Sequence, residues 1–235
     1  MQAILLAGGK GTRLRPYTAA FPKPLVPLGE RPILEIVIRQ LKKAGFDDIV
    51  ISTGHLAELI RTYFGSGEKL GVKIRYVHEE KPLSTAGPLA LIDGLDEDFL
   101  VMNGDILTTL DYRKIMKFHK EKKAAATISV CERVQKVDYG VITAGSDSAL
   151  QDYVEKPALP FLVSMGVNVL NRRAVAHIRK GEALGMPDLM MRLKKKGESV
   201  MCYKEKCEWL DIGRPDDYEL AQKEMAEHPE KYLDG

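Results

Sequence analysis

The chain has 235 residues, 45% hydrophobic and 29% charged, with 35 Lys and Arg against 33 Asp and Glu for a net charge of +2. That is the composition of an ordinary globular protein with ample core, with no basic run long enough for nucleic acid and no apolar run long enough for a bilayer or a signal peptide. Three cysteines, Cys131, Cys202 and Cys207, without Cys-x-x-Cys spacing, exclude a disulfide framework or zinc site and make a reducing, cytoplasmic compartment the expectation.

Residues 2–7 read as a buried strand, Ala3-Ile4-Leu5-Leu6-Ala7 at its centre, that opens into Gly8-Gly9-Lys10-Gly11-Thr12-Arg13-Leu14-Arg15-Pro16. Glycines let backbone N–H groups approach an anion closely, and Arg and Lys add charge. The loop is not a Walker motif, and Leu14 stands where a dinucleotide fingerprint needs its third glycine. Pro22 and Pro24 then fix the backbone on both sides of Lys23. A turn that only reversed the chain would need the glycines but neither the cations nor the prolines.

Arg31-Pro32 is expected to open a helix with Pro at its first position, with Ile33, Leu34, Val37, Ile38, Leu41 and Ala44 on one face and Gly45 ending it. A strand at 49–52, a helix at 55–64, a strand at 73–79, a short helix at 85–94 and a strand at 99–102 follow. Such alternation predicts an α/β fold, a Rossmann-like, doubly wound, mixed but mostly parallel sheet. Ligands of these sheets sit at the carboxyl ends of strands, where loops 8–15, 79–87 and 103–105 fall. In the second half, Asp111 caps a predicted helix at 112–122. Strands are expected at 124–131, 140–143, 149–154, 163–170 and 199–204, and helices at 172–179, 187–196 and 215–227. One domain, 1–235, is expected, with halves at 1–110 and 111–235, the second completing the sheet.

Leu6-Ala7-Gly8-Gly9-x-Gly11-Thr12-Arg13-Leu14, followed by Pro22-Lys23-Pro24-Leu25, resembles the signature of the sugar-1-phosphate nucleotidyltransferases, or nucleotide-sugar pyrophosphorylases. The resemblance runs from residue 2 to about residue 220 and implies a nucleotidyltransferase fold of glycosyltransferase-A type. Nothing resembles the hexapeptide β-helix that some relatives append. The implied reaction joins a nucleoside triphosphate, held by the half at 1–110, to a sugar 1-phosphate, held by the half at 111–235, and releases pyrophosphate. Leu6, Ala7, Gly8, Gly9, Gly11, Thr12 and Asn103 would hold the nucleotide, Arg13 the departing pyrophosphate, and Lys23 the α-phosphoryl group. Homo-oligomers are common in the family.

Asp105, after Asn103-Gly104, ends a buried strand and can reach into the cleft. Asp211, between Trp209 and Ile212, is expected near the core, where an acid is costly unless paired or metal-bound. Taken alone, the two could equally be a turn cap and a helix cap or buried ion pair. Their positions match the family's two metal-binding aspartates, which implies catalytic Mg²⁺ held by Asp105 and Asp211.

Glu155-Lys156-Pro157 resembles the family's Glu-Lys-Pro, whose Glu binds sugar hydroxyls and whose Lys binds the sugar phosphate. Tyr139-Gly140 and Gly166 match its sugar-facing positions, and Asn168 stands where the family commonly has Tyr. Glu79, Glu80, Thr85, Ala86 and Gly87 fall where the base is read, although Ser84 replaces a common glycine. The stretch is most similar to the mannose- and heptose-1-phosphate guanylyltransferase branch. A carboxylate accepts from two donors, and guanine presents N1–H and N2–H₂ on one edge. GTP is therefore favoured, with a hexose or heptose 1-phosphate. The alternatives are a uridylyl- or other nucleotidyltransferase, or a non-catalytic nucleotide-sugar-binding regulator. His55, His119, His177, Met186, Met190 and Met191 are expected to be structural.

Overall fold

The buried run β1 (Gln2–Ala7) leads, in a computed structural model describing residues 1–233, through 3-10 turns at Thr12–Leu14 and Lys23–Leu25. The paired two-residue strands β2 (Pro27–Leu28) and β3 (Arg31–Pro32) come next. Then follow α1 (Ile33–Lys43), β4 (Asp48–Thr53), α2 (Ala57–Phe64), β5 (Lys73–His78), a 3-10 turn at Gly87–Leu91, β6 (Asp98–Asn103) and β7 (Ile106–Thr108). The second half adds α3 (Tyr112–Lys122), β8 (Ala126–Lys136), β9 (Val141–Ala144), β10 (Leu150–Val154) and β11 (Ala158–Asn171). A 3-10 stretch at Arg172–His177, α4 (Met186–Lys195), β12 (Val200–Lys204), β13 (Trp209–Asp211), α5 (Pro215–Glu227) and α6 (Glu230–Leu233) complete it.

Seven strands form one sheet in the order β12-β8-β11-β6-β1-β4-β5. β1 runs parallel to β4 and β6, β4 to β5, and β12 to β8, while β11 is antiparallel to β6 and β8. This is the expected mixed, mostly parallel α/β sheet. Central strands covered on both faces read as near-continuous apolar runs, as β1 does from Ala3 to Ala7. Leu5, Ile51 and Met102 pack under α1, α2 and α3 on one face. Ile4, Val50 and Val101 pack against the Gly87–Leu91 turn and α4 on the other. Among the described residues no helix is long and apolar enough to cross a membrane.

Several elements differ from expectation for identifiable reasons. Pro32 caps α1 rather than starting it, because it is already paired in β3. α1 is buried nearly all round. Leu34, Val37, Ile38 and Leu41 face the sheet, while Ile33 and Ile36 join a third cluster with Leu14, Leu28, Ile212 and Tyr218. The predicted helix at 85–94 is only a 3-10 turn, closed by bonds from the N–H of Leu89 to Ala86 O and of Ile92 to Leu89 O, while the N–H groups of Ala86 and Gly87 donate to Leu184 O. The stretch at 172–179 is likewise a 3-10 element. Helix α2 begins at Ala57, after Leu56 in a left-handed conformation (φ 56°). β8 and β11 run well beyond the sheet as an exposed ribbon, pairing Val134 with Pro160 and Lys136 with Ala158. The β11 half of the ribbon, Ala158-Leu159-Pro160-Phe161-Leu162, is an exposed apolar run around a proline, so it shows no period-two alternation to mark a strand. The capped α3 and the closing α5 lie as read, with Asp111 Oδ1 accepting from the N–H groups of Arg113 and Lys114.

Candidate active site

The chain leaves β1 through α1 on one face of the sheet and returns from β5 to β6 across the other. β1 is therefore the topological switch point, and a crevice opens outside its carboxyl end. The crevice is a cavity of about 670 Å³ walled by the loops after β1, β4, β5 and β6.

The loop after β1 supplies Gly8 to Arg13 to that wall. Gly11 holds φ +61° and caps the Thr12–Leu14 turn, while its carbonyl accepts from Thr18 Oγ1 at 2.7 Å. A Cβ there would come within 3.0 Å of Lys23 Cβ and 3.1 Å of Thr18 Cγ2. Gly9 has nothing within 4 Å of its would-be Cβ, so its backbone borders open space. The Pro22–Pro24 turn carries Lys23 inward until the residue is 9% exposed, and its Nζ donates to Asp105 Oδ2. Asp105 Oδ1 is buried and unpartnered.

Asp105 is followed directly by β7, which pairs antiparallel with β13 so that Asp211 stands opposite Ile106. The N–H of Ile212 donates to Asp105 O at 3.2 Å. The two aspartates, more than a hundred residues apart in sequence, are thereby adjacent. Asp211 is not packed towards the core as expected. Ile212 takes the buried position, and Asp211 is exposed beside the cavity, whose wall includes Asp105 and Gly213 but not Asp211. Partial desolvation there, and then the charge of Asp105, push its carboxyl above the usual value, while Lys23 and Arg13 pull it back. Arg13 Nη2 and Asp211 Oδ1 both flank Gly213, at 3.8 and 3.7 Å from its would-be Cβ, without forming an ion pair.

The donor set suits a hard divalent cation shared with phosphates: two adjacent carboxylates, one with a buried free oxygen, and a lysine as the present countercharge. Among the described residues no group of three or more His, Cys, Asp or Glu could hold a metal alone, so remaining ligands would come from substrate.

Glu79 forms the opposite wall. Its carboxylate accepts from Ser52 Oγ at 2.8 Å and from the N–H of Leu83 at 3.0 Å. Glu80 is exposed beside it. Ser84 holds φ +63°, a conformation that favours the glycine it replaces. Thr85 lines the cavity and accepts from the N–H of Met186 at 2.7 Å. Ala86 and Gly87 are buried and off the wall; they brace the loop against residues 182–186. That brace is stiffened by Glu182, whose carboxyl is held down to about 2 by the two-pronged Arg192 guanidinium at 2.6 and 2.9 Å.

Leu6, Ala7, Thr12 and Asn103 also line the cavity. Tyr139, Gly140, Glu155 and Lys156 do not; they flank the separate two-stranded β9–β10 sheet, and Tyr139 is 78% exposed. Within that hairpin Gly140, Tyr153 and Glu155 meet, the tyrosine hydroxyl donating to Glu155 at 3.3 Å. Gly166, at φ +73°, packs on Asn103, whose Nδ2 would lie 2.8 Å from a Cβ there. Asn168 is buried with Oδ1 unpartnered, opposite Val101 and on the same sheet face as Asn103. Trp209 steadies this segment by donating from Nε1 to Met165 O at 2.8 Å.

Gly54, His55 and Gly213 were not among the expected site residues and also line the wall, with Lys10 from the phosphate loop and His78 and Pro82 from the stretch expected to read the base. His55, expected on a helix, lies in the loop before α2 and borders the cavity. The available signal was Gly54, which ends β4 as Gly8 ends β1. A Cβ on Gly54 would be 2.8 Å from Gly8 O, so these two backbones touch. His119 is structural, buried between Thr127 Oγ1 at 2.8 Å and Asp98 at 3.3 Å.

A family model described as nucleotidyl transferase matches residues 2–228. A UTP–glucose-1-phosphate uridylyltransferase of Synechocystis is 34% identical over 238 residues, 93% of this chain and 61% of that protein. The mannose-1-phosphate guanylyltransferase catalytic subunit beta of Xenopus tropicalis is 30% identical over 98% of this chain and 67% of its own length. The chain thus spans about three fifths to two thirds of the length of these relatives. HddC from Yersinia pseudotuberculosis superposes with a TM-score of 0.74 at 26% identity, over 95% of this chain and 99% of that one. It has also been solved complexed with GMP-PN, at a TM-score of 0.73.

Proposed function

The chain belongs to the nucleotidyl transferase family, and from that premise we propose that it transfers a nucleotidyl group from a nucleoside triphosphate, GTP by preference, to a hexose or heptose 1-phosphate. The observation that carries the proposal is the meeting of the Gly8–Arg13 loop, Lys23 and Asp105 at one cleft, with Asp211 held beside Asp105 by the β7–β13 pair.

In this account a sugar-phosphate oxygen attacks the α-phosphorus. The new O–Pα bond forms as the bond from Pα to the bridging oxygen breaks, and that oxygen leaves with its electron pair on pyrophosphate. The residues contribute positioning and charge rather than covalent chemistry. Gly8, Gly9, Gly11 and Thr12 hold the triphosphate by backbone N–H groups and hydroxyl. Arg13, at the cleft mouth, neutralises the departing pyrophosphate, and Lys23 turns from Asp105 to the α-phosphoryl oxygens. Mg²⁺ held by Asp105 and Asp211 would neutralise phosphate charge as a Lewis acid. Glu155 takes sugar hydroxyls, Lys156 the sugar phosphate, and Asn168 offers its free Oδ1 to a hydroxyl.

Guanine is favoured by the state of Glu79. An ionised carboxylate has about four lone-pair sites, and internal donors use one on each oxygen. One site per oxygen remains for two adjacent N–H groups. The neighbour solved with GMP-PN and the guanylyltransferase relatives lean the same way. The Synechocystis relative favours a second reading, a uridylyltransferase. Mass spectrometry of the product tests the proposal. A nucleoside-diphosphate sugar, formed only when triphosphate and sugar 1-phosphate are both present, is expected. Bound nucleotide with no such product would make the chain a binding protein.

A further inference from the structure

We infer that Ser52, which lies behind the cavity wall, is a positioning residue that fixes the plane of the Glu79 carboxylate and so sets which nucleobase is taken; the inference rests on Glu79 as the base acceptor. Ser52 is fully buried in β4, with Leu6 of β1 and Val77 of β5 as its neighbours in register. A hydroxyl buried among apolar strands needs a partner. An ionised carboxylate only accepts, so the Ser52 O–H donates to Glu79 Oε1 across 2.8 Å.

The rest of Glu79 is held as firmly. Its N–H donates to Thr53 O at 2.9 Å, and its other oxygen takes the N–H of Leu83 at 3.0 Å. Gly8 passes beneath, and a Cβ on it would lie 2.5 Å from Oε1. The terminal torsion of a glutamate is intrinsically broad. Here Ser52 and Leu83 pin one oxygen each, which leaves the free lone pairs side by side at the cavity. Without the hydroxyl, Oε1 loses its fixed donor and the carboxylate turns about that torsion. Ser52 touches no substrate; it acts through Glu79 alone.

Threonine and valine at position 52 are nearly equal in shape and differ in the hydroxyl, so a folding defect from added bulk is common to both. Steady-state kinetics with GTP and UTP on S52T, S52V and S52A, each alone and with E79Q, tests the inference. S52V and S52A are expected to raise KM for the preferred triphosphate about tenfold, the scale of one hydrogen bond to a charged group. They should narrow the GTP-to-UTP ratio of kcat/KM and leave kcat within about twofold. S52T should stay near the parent relative to S52V, and in the E79Q background S52V should add no further change. E79Q without effect on either triphosphate overturns the reading of Glu79 and this inference with it. An E79Q effect, with S52T and S52V indistinguishable or S52V equally harmful beside E79Q, overturns the inference alone.

Discussion

Asp211 is brought beside Asp105 by a three-residue strand pair, sealed where the N–H of Ile212 donates to the carbonyl of Asp105 at 3.2 Å. Two like charges are thereby held together at the mouth of a cleft, with Lys23 bound to one of them. The arrangement is unfavourable for the empty protein and suited to a polyphosphate with its counter-ion.

The sign of that cost is testable. Desolvation and then Asp105 raise the Asp211 carboxyl from its usual 3.8. The folded chain therefore keeps that proton to higher pH than the unfolded chain. Stability falls as pH rises from 3.8 through the raised value, and the loss is complete above it. Asp211→Asn removes this loss. Without substrates its melting temperature should exceed the parent's at neutral pH and converge with it below pH 3.8, by calorimetry. Its turnover should fall roughly 10²-fold or more.

Lys23 carries the complementary role. Lys23→Ala leaves Asp105 and Asp211 with less compensation and should lower stability by up to about 3 kcal/mol. Turnover should drop roughly 10²-fold, the scale of one lost electrostatic contact in the transition state. Adding Asp105→Asn should recover stability in urea titrations without recovering turnover.

The glycines of the loop separate folding from binding. Gly11→Ala meets both a positive φ and the 3.0 Å approach of Lys23, so melting temperature and activity should fall together. Gly9→Ala meets nothing within 4 Å, so melting should be unchanged while KM for triphosphate rises. Gly8→Ala must displace the Glu79 carboxylate and should weaken discrimination between bases.

Asn168 should trade stability against sugar binding. Its Oδ1 is buried and unpaired, and such a group costs about 1–3 kcal/mol. Asn168→Leu should match or exceed the parent in urea midpoint and raise KM for sugar 1-phosphate with little change in that for triphosphate.

What could be read from the sequence was local. Gly8 to Arg13 and Lys23 between prolines stand out within a few residues, while Asp105 after a buried strand reads alone equally well as a turn cap. The contact of Asp105 with Asp211 does not, because it hangs on β7 and β13, too short for any periodic pattern. Ser52 gives no local signal either; its partner Glu79 lies 27 residues away. The one-faced pattern expected for α1 failed because Leu14, Leu28 and Tyr218 cover its outer side, a contact between distant segments. The long ribbon of β8 and β11 was missed because its β11 half is an unalternating apolar run broken by Pro160, which argues against a strand in sequence.

The most direct test of the account is pyrophosphate release, followed for GTP, UTP, dTTP and ATP, each with hexose and heptose 1-phosphates and Mg²⁺. The account predicts release that requires both substrates, is fastest with GTP, and is lost in Lys23→Ala and Asp211→Asn. Faster release with UTP would contradict the role given to Glu79, and no release with any triphosphate would contradict nucleotidyl transfer itself.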